Sequence, residues 1–252
     1  MVQWKERLRA AGIHLGISVA MALLGALLVF GVWYPYPYRE ISGGRELFML
    51  VVAVDVILGP LLTLAVFDRT KPWRALRRDL AVIGVLQLAG LCYGLWTVFV
   101  ARPVHLVFEI DRFRVVHAID VPQEMLPKAP PALQRLPLRG PTTLGMRPFV
   151  DANESMSATL AAMAGADLGA RPDFWQPYAL SSADAAKAAK PVAQLKSRFP
   201  NEAAAIDRAV ASTGRAPDAI ATLPLVGRKS FWTVFVDARS GAVLAFMPLD
   251  SF

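Results

Sequence analysis

The side chains that could do chemistry in this 252-residue sequence are few and scattered. Asp55 sits within an otherwise apolar stretch, and Gln87 and Tyr93 sit within another. A carboxyl in such surroundings is costly unless it is paired, protonated or hydrated. It is therefore either part of a proton relay or a hydrogen-bonding post between helices. A relay needs a chain of titratable groups, and the flanking sequence offers none, so a bond to Gln87 or Tyr93 is the favoured role. Gly59-Pro60 follows closely. Proline removes a backbone donor and crowds the preceding turn, so a helix through Pro60 kinks. The kink either opens a groove for a partner helix or serves packing alone.

The three histidines, His14, His105 and His117, have no cysteine or carboxylate cluster at metal-ligand spacing, and no metal or other cofactor is expected. Cys92, the single cysteine, rules out an intramolecular disulfide; its place in an apolar span reads as core rather than nucleophile. Glu109, Asp111 and Arg112 form a charged group at a strand end, where charges are usually solvated. Nucleophile elbows, phosphate-binding glycine loops and His-Glu-x-x-His are all missing from the sequence. The chain is not read as an enzyme.

The elements that position these residues divide the chain. Hydrophobic residues make up 55% of it and concentrate in the first hundred positions, while charged, Pro-rich and Ala-rich sequence fills the rest. This is the pattern of a membrane part followed by a soluble part. Spans are expected at about 12–33, 46–67 and 79–100, each near the roughly 20 residues needed to cross a hydrocarbon core. The first is too long for a signal peptide and ends in aromatic residues, not in a small-residue cleavage site. Asp55 then lies roughly 13 Å from the outer end of the second span, near mid-membrane. Lys5, Arg7 and Arg9, with Arg69, Lys71, Arg74, Arg77 and Arg78, put eight basic residues on one side against Arg39 and Arg45 on the other. The positive-inside rule places the N-terminus in the cytoplasm and residues 101–252 outside it. That use of the charge also argues against nucleic-acid binding, although the net charge is +7.

Residues 101–252 read as one α+β domain with antiparallel strands. Strands are expected at His105–Ile110 and Phe113–Ile119, and a closing hairpin pairs Phe231–Val236 with Ala242–Met247 around a Gly-containing connection. Helices are expected at Asn153–Ala166, Ser181–Phe199 (broken at Pro191) and Asn201–Ser212. Pro122–Pro148 reads as an irregular connection, either functional or wrapped on its own domain.

Several segments in combination resemble a known family. They are Trp33-Tyr34-Pro35-Tyr36-Pro37-Tyr38, Gly43-Gly44-Arg45-Glu46-Leu47-Phe48 and the run from Val54 to Leu64 that contains Asp55 and Gly59-Pro60. Asp79-Leu80, Gln87, Tyr93-Gly94, Ala101-Arg102-Pro103-Val104, Asp111-Arg112-Phe113, Ala170 to Tyr178 and the closing hairpin with Pro248-Leu249-Asp250 extend the match. The whole resembles the type IV pilin accessory proteins of the TfpX/TfpZ group, also described as pilin assembly chaperones. The resemblance implies a multi-pass protein of the bacterial inner membrane that acts on a cognate type IV pilin, major or minor. Other pilus assembly components and membrane lipid are the further partners. It carries over no catalytic residue.

On that reading, the kinked second span with Asp55, Gly59, Pro60, Gln87 and Tyr93 would dock the pilin's apolar helix, with Gly84, Gly90 and Gly94 allowing close approach. Arg171 to Tyr178, carrying Arg171, Trp175 and Tyr178, would contact the pilin head, because aromatics and Arg are enriched at interface hot spots. An equally weighted alternative makes this an ordinary turn whose Trp175 fills the domain core. The competing function is a membrane-anchored sensor with an extracytoplasmic ligand-binding domain. It would need a cytoplasmic output module, and only short basic segments face that side. A membrane enzyme using Asp55 would need further polar groups at the same depth.

Overall fold

The computed structural model describes residues 2–252 and divides into two compact units. One comprises residues up to Arg39 together with Gly43–Ala101; the other comprises Glu40–Ser42 and Arg102–Phe252.

The first unit is helical. Helix α1 (Val2–Leu28) ends in a π-helical turn, Val29–Trp33, and a short helix α2 (Tyr38–Ile41) lies in the connection that follows. The next span is α3 (Gly44–Ala53), a second π turn (Val54–Leu58) and α4 (Gly59–Val66). Helix α5 covers Trp73–Val100. Trp4–Trp33, Gly44–Val66 and Trp73–Val100 are each long and apolar enough to cross a membrane. They begin earlier than the apolar runs because charged first turns, such as Arg74, Arg77 and Arg78, continue the helix. Gly43 adopts φ 70° at the start of α3, a conformation open to glycine at little cost.

The distortion in the second span lies before Pro60, in the π turn. In a π turn the carbonyl of residue i meets the N–H five positions ahead. For Asp55 that position is Pro60, which has no N–H to give. The helix therefore leaves the Asp55 carbonyl to be satisfied from outside.

The second unit is a mixed sheet with helices. Its strands and helices run β1 (Pro103–Glu109), β2 (Arg112–His117), β3 (Thr142–Met146), α6 (Ala152–Met163), β4 (Trp175–Pro177), α7 (Ser182–Ala188), β5 (Lys190–Pro191), α8 (Val192–Arg198), α9 (Ala203–Ser212), β6 (Ile220–Val226), β7 (Phe231–Asp237) and β8 (Val243–Met247). The spatial order is β4-β3-β1-β2-β6-β7-β8, with β5 added to β6. Most pairings are antiparallel, as expected, but β1 with β3 and β2 with β6 are parallel. The supposedly irregular Pro122–Pro148 contains β3, whose Thr142–Gly145 pairs with His105–Phe108. Around it, Gln123–Lys128 and Pro131–Leu133 form 3-10 turns. The expected helix at Ser181–Phe199 splits at Pro191 into α7 and α8.

Two cores stabilise the sheet. Val104, Val107, Val116, Leu144 and Trp175 form one, and Val192, Leu195, Ile206, Val210, Ile220 and Phe235 the other.

Candidate functional site

Asp55 is the middle residue of the 23-residue second span, and Gln87 lies at the middle of the 28-residue third. Gln87 Nε2 donates to the Asp55 backbone carbonyl at 3.1 Å and to Asp55 Oδ1 at 3.2 Å. It thereby supplies the donor that Pro60 lacks and engages the carboxyl at the same time. Gln87 Oε1 is buried without a donor among the described residues. This close fit depends on Gly59, since a Cβ there would stand 1.8 Å from Gln87 Nε2 and 2.8 Å from Oε1. Gly94 has a similar role further along α5, where a Cβ would stand 2.6 Å from both methyls of Val51. Gly84 and Gly90 have open space beside them rather than a neighbouring span of this chain, since a Cβ at either meets nothing within 4 Å.

Tyr93 is not the partner of Asp55. It lines a groove of about 470 Å³ between the second and third spans, with its side chain 73% exposed. Leu50, Leu58, Leu62 and Gly90 form much of the wall, and Asp55, Gln87 and Thr97 add polar groups to it. From Leu47 to Leu62 the groove follows the second span for about 22 Å at 1.5 Å per residue. Cys92 lies exposed on the surface of α5, not in the helical core where its apolar surroundings had placed it.

Two polar side chains near Asp55, His14 and Ser18, were not connected to it by the sequence reading. His14 Nδ1 lies 2.5 Å from Thr63 Oγ1, joining α1 to α4. Ser18, one turn beyond His14, is buried. His14, Ser18, Asp55 and Gln87 line one cavity of about 250 Å³. The signal was present as a helical spacing: Arg7, Ala11, His14 and Ser18 recur at intervals of four, three and four along one face. Without the partner span, that face looked like isolated polar residues.

In the second unit, Arg171 to Tyr178 is a packing device. Trp175 is 1% exposed in the core, its Nε1 donates to the Gly169 carbonyl at 2.8 Å, and its ring meets His105 edge-on at 4.5 Å. The position matches the core alternative. Arg171 pairs with Asp173 at 2.7 Å and lies 4.4 Å over the Phe174 ring. Tyr178 reaches the closing hairpin, where its hydroxyl donates to the Gly241 carbonyl, and burial pushes its hydroxyl pKa up to about 12. The three residues are thus divided between the core, an ion pair and a hairpin tie.

The charged group at the β1–β2 turn also differs from expectation. Arg112 pairs with its neighbour Asp111, whereas Glu109, 5% exposed, accepts from Arg114 Nε and from the Gly169 N–H, both at 2.8 Å. Burial pushes the Glu109 carboxyl up, and Arg114 and the Gly169 N–H oppose it. Among the described residues, no cluster of three His, Cys, Asp or Glu side chains is placed to hold a metal ion.

The chain thus combines three helices long and apolar enough to cross a membrane, polar side chains meeting at the middle of the second and third, and a mixed α+β unit. Residues 2–43 match the family model for the fimbrial assembly protein FimB. The serogroup I fimbrial assembly protein of Dichelobacter nodosus is 33% identical over 246 residues, covering 97% of this chain and 95% of that protein. The protein of serogroups C1 and C2 from the same organism is 39% identical over 121 residues, 48% of this chain and 92% of that protein. The chain belongs to the fimbrial assembly protein family, a type IV pilus accessory family. No solved structure matches it.

Proposed function

We propose that this protein is a multi-pass accessory factor of the bacterial inner membrane that binds a cognate type IV pilin and promotes its stability or its assembly into surface pili. The observation that carries the reading is the 33% identity to a fimbrial assembly protein across 97% of the chain, since it covers both units rather than one. The excess of eight basic residues over two supports a cytoplasmic N-terminus and an α+β unit in the periplasm. The groove between the second and third spans is the docking site for the pilin's apolar helix. Its length of about four helical turns and its open, mostly aliphatic walls suit a helix, and Gly90 leaves room for close backbone approach. The head-binding role of Arg171 to Tyr178 loses Trp175 to the core; Arg171 and Tyr178 keep partial exposure and remain available to a pilin head.

The test is deletion of the gene with a complemented control, measuring total and surface-assembled pilin in the same cells. Loss of surface pilin supports the assembly role, and a parallel fall in total pilin assigns it to protection. A photo-crosslinking residue at Leu50 or Leu62, in the groove, should capture pilin, whereas one at Leu24, exposed on α1, should not. Unchanged pilin on both counts for every cognate pilin refutes the reading.

A further inference from the structure

The cavity of about 250 Å³ beside α1 opens between aliphatic side chains: Ile17 and Met21 border it from α1 and Leu88 from α5, all three exposed. In a bilayer such an opening faces acyl chains. His14, Asp55 and Gln87 also line the cavity, but they are engaged by hydrogen bonds between the spans. The α5 wall of the cavity, Gly84, Leu88 and Leu91, belongs to a face that continues toward the start of that helix. At about 100° per residue, Arg77 lies within about 20° of Gly84 and Trp73 within about 20° on its other side, so both extend the same face.

At that end of the bundle every acid is already paired. Glu6 meets Arg69 at 3.3 Å, Asp68 meets Arg7 at 3.4 Å and Asp79 meets Lys71 at 2.8 Å, with Arg78 at 3.9 Å from the same carboxylate. Arg74 and Arg77 are exposed and have no acidic partner among the described residues. Arg77 lies 5.8 Å over the ring of Trp73, which is 67% exposed. A surplus guanidinium matches phosphate oxygens, and an exposed indole at the end of an apolar span belongs at headgroup level. The depth agrees with this. Arg77 and Gln87 are ten residues apart, or about 15 Å of helix, and half of a hydrocarbon core of about 30 Å is the same length.

We propose that Arg77 and Arg74 bind the phosphate of an anionic phospholipid, one acyl chain of which runs past Ala81 and Gly84 into the cavity between α1 and α5. Gly84 keeps the path open, since a Cβ there meets nothing within 4 Å and a larger side chain would take the space of the acyl chain. The surplus charge selects the anionic class, because a zwitterionic headgroup brings its own cation up to the arginines. The aliphatic track selects a lipid over free phosphate, which has no use for it. The site does not rest on the pilin reading: it lies on the α1 side of α5, and shares only Asp55, Gln87 and Leu91 with the groove toward the second span.

The test is photolabelling of the full-length protein in phosphatidylcholine vesicles that contain a phosphatidylglycerol with a diazirine in its acyl chain. Labelled positions are mapped by mass spectrometry. Label should concentrate on Met21, Leu88 and Leu91, and unlabelled phosphatidylglycerol should displace it while phosphatidylcholine and inorganic phosphate do not. Arg77→Gln should weaken that competition about fivefold, and Arg74→Gln added to it about fivefold again. Gly84→Leu should remove the label from Met21 and Leu91, whereas Gly12→Leu, also beside open space but away from the cavity, should not. Arg77→Gln, at an exposed position, decides the matter if Gly84→Leu does not fold. A phosphatidylcholine probe that labels the same residues equally, or label spread evenly to exposed positions such as Leu24 and Leu86, reports ordinary boundary lipid and overturns the proposal. Labelling unchanged in Arg77→Gln overturns it too, as does label that reaches Leu24 and Leu86 but never the cavity, the result expected if a helix fills it.

Discussion

The fit of Gly59 against Gln87 makes a prediction that depends on the π turn. A methyl at position 59 would stand 1.8 Å from Gln87 Nε2, so Gly59→Ala expels the amide from its site. The two hydrogen bonds to Asp55 go with it, and the Asp55 carbonyl loses its donor, since Pro60 has none to offer. Interhelical hydrogen bonds in membranes average about 0.6 kcal/mol and reach about 1.7, and an orphaned buried acceptor adds about 1–3 kcal/mol. Gly59→Ala should therefore destabilise the helical unit by about 2 kcal/mol. Gln87→Ala should cost about the same, because it removes the same bonds. The double variant should cost little more than either single one, which is non-additivity of about 2 kcal/mol. Gly90→Ala, with open space around it, is the neutral control. Unfolding titrations in mixed micelles, followed by tryptophan fluorescence, measure all four. Additive effects within about 0.5 kcal/mol, or a loss in Gly90→Ala as large as in Gly59→Ala, would refute the reasoning.

Three further outcomes are expected in the second unit. Trp175→Ala should destabilise it by about 3–5 kcal/mol in denaturant unfolding monitored by near-UV circular dichroism, while Trp175→Phe, which keeps most of the volume but loses the bond to Gly169, costs less. Tyr178→Phe should cost about 0.5–1.5 kcal/mol in the same assay, through the lost tie to Gly241. Burial pulls His105 down to about 4 from its ordinary 6.5, so between those values the unfolded chain binds a proton that the folded one does not. Stability is therefore fully present above about pH 6.5 and falls by about 3 kcal/mol as pH drops to about 4. His105→Gln should flatten that part of the thermal-unfolding profile against pH.

The three spans were legible because hydrocarbon solvation acts on composition, and composition is local. Their ends were less so, since a helix continues into charged turns such as Arg74 to Arg78 that no hydropathy window includes. In the second unit the closing hairpin was visible because its strands are adjacent and joined by a glycine turn. Strand β3 was not, since Thr142–Met146 is short, includes Gly145 and finds its partner β1 across a parallel crossover. Strand β6 went unread for a sharper reason. Pro224 lies inside it, and proline argues against an interior strand. The structure accommodates it where one edge of β6 changes partner, from β5 at Ala221 and Thr222 to β2 at Leu225 and Val226. No ladder bond is asked of Pro224 on that edge, so the rule holds at the level of the hydrogen bond while failing at the level of the pattern.

The candidate site shows the same limit in another form. Asp55, Gly59, Pro60 and Gln87 could each be singled out as types that are costly or unusual in an apolar helix. Their joint role depends on helical register, which the sequence states only indirectly. With an uninterrupted α-helical register, Pro60 would deprive Val56 of a donor; with the π turn, the deprived carbonyl is that of Asp55, on the residue whose carboxyl also needs a partner. One glutamine then serves both needs, and glycine at position 59 makes room for it. His14 escaped notice because its contact with Thr63 spans 49 positions and its neighbours on α1 are apolar. A seam of single polar residues on two helices becomes a site only when both faces are brought together. Pairwise exchange across it, beginning with Thr63→Val against His14→Gln, therefore distinguishes a connected polar path from residues that merely tolerate their positions.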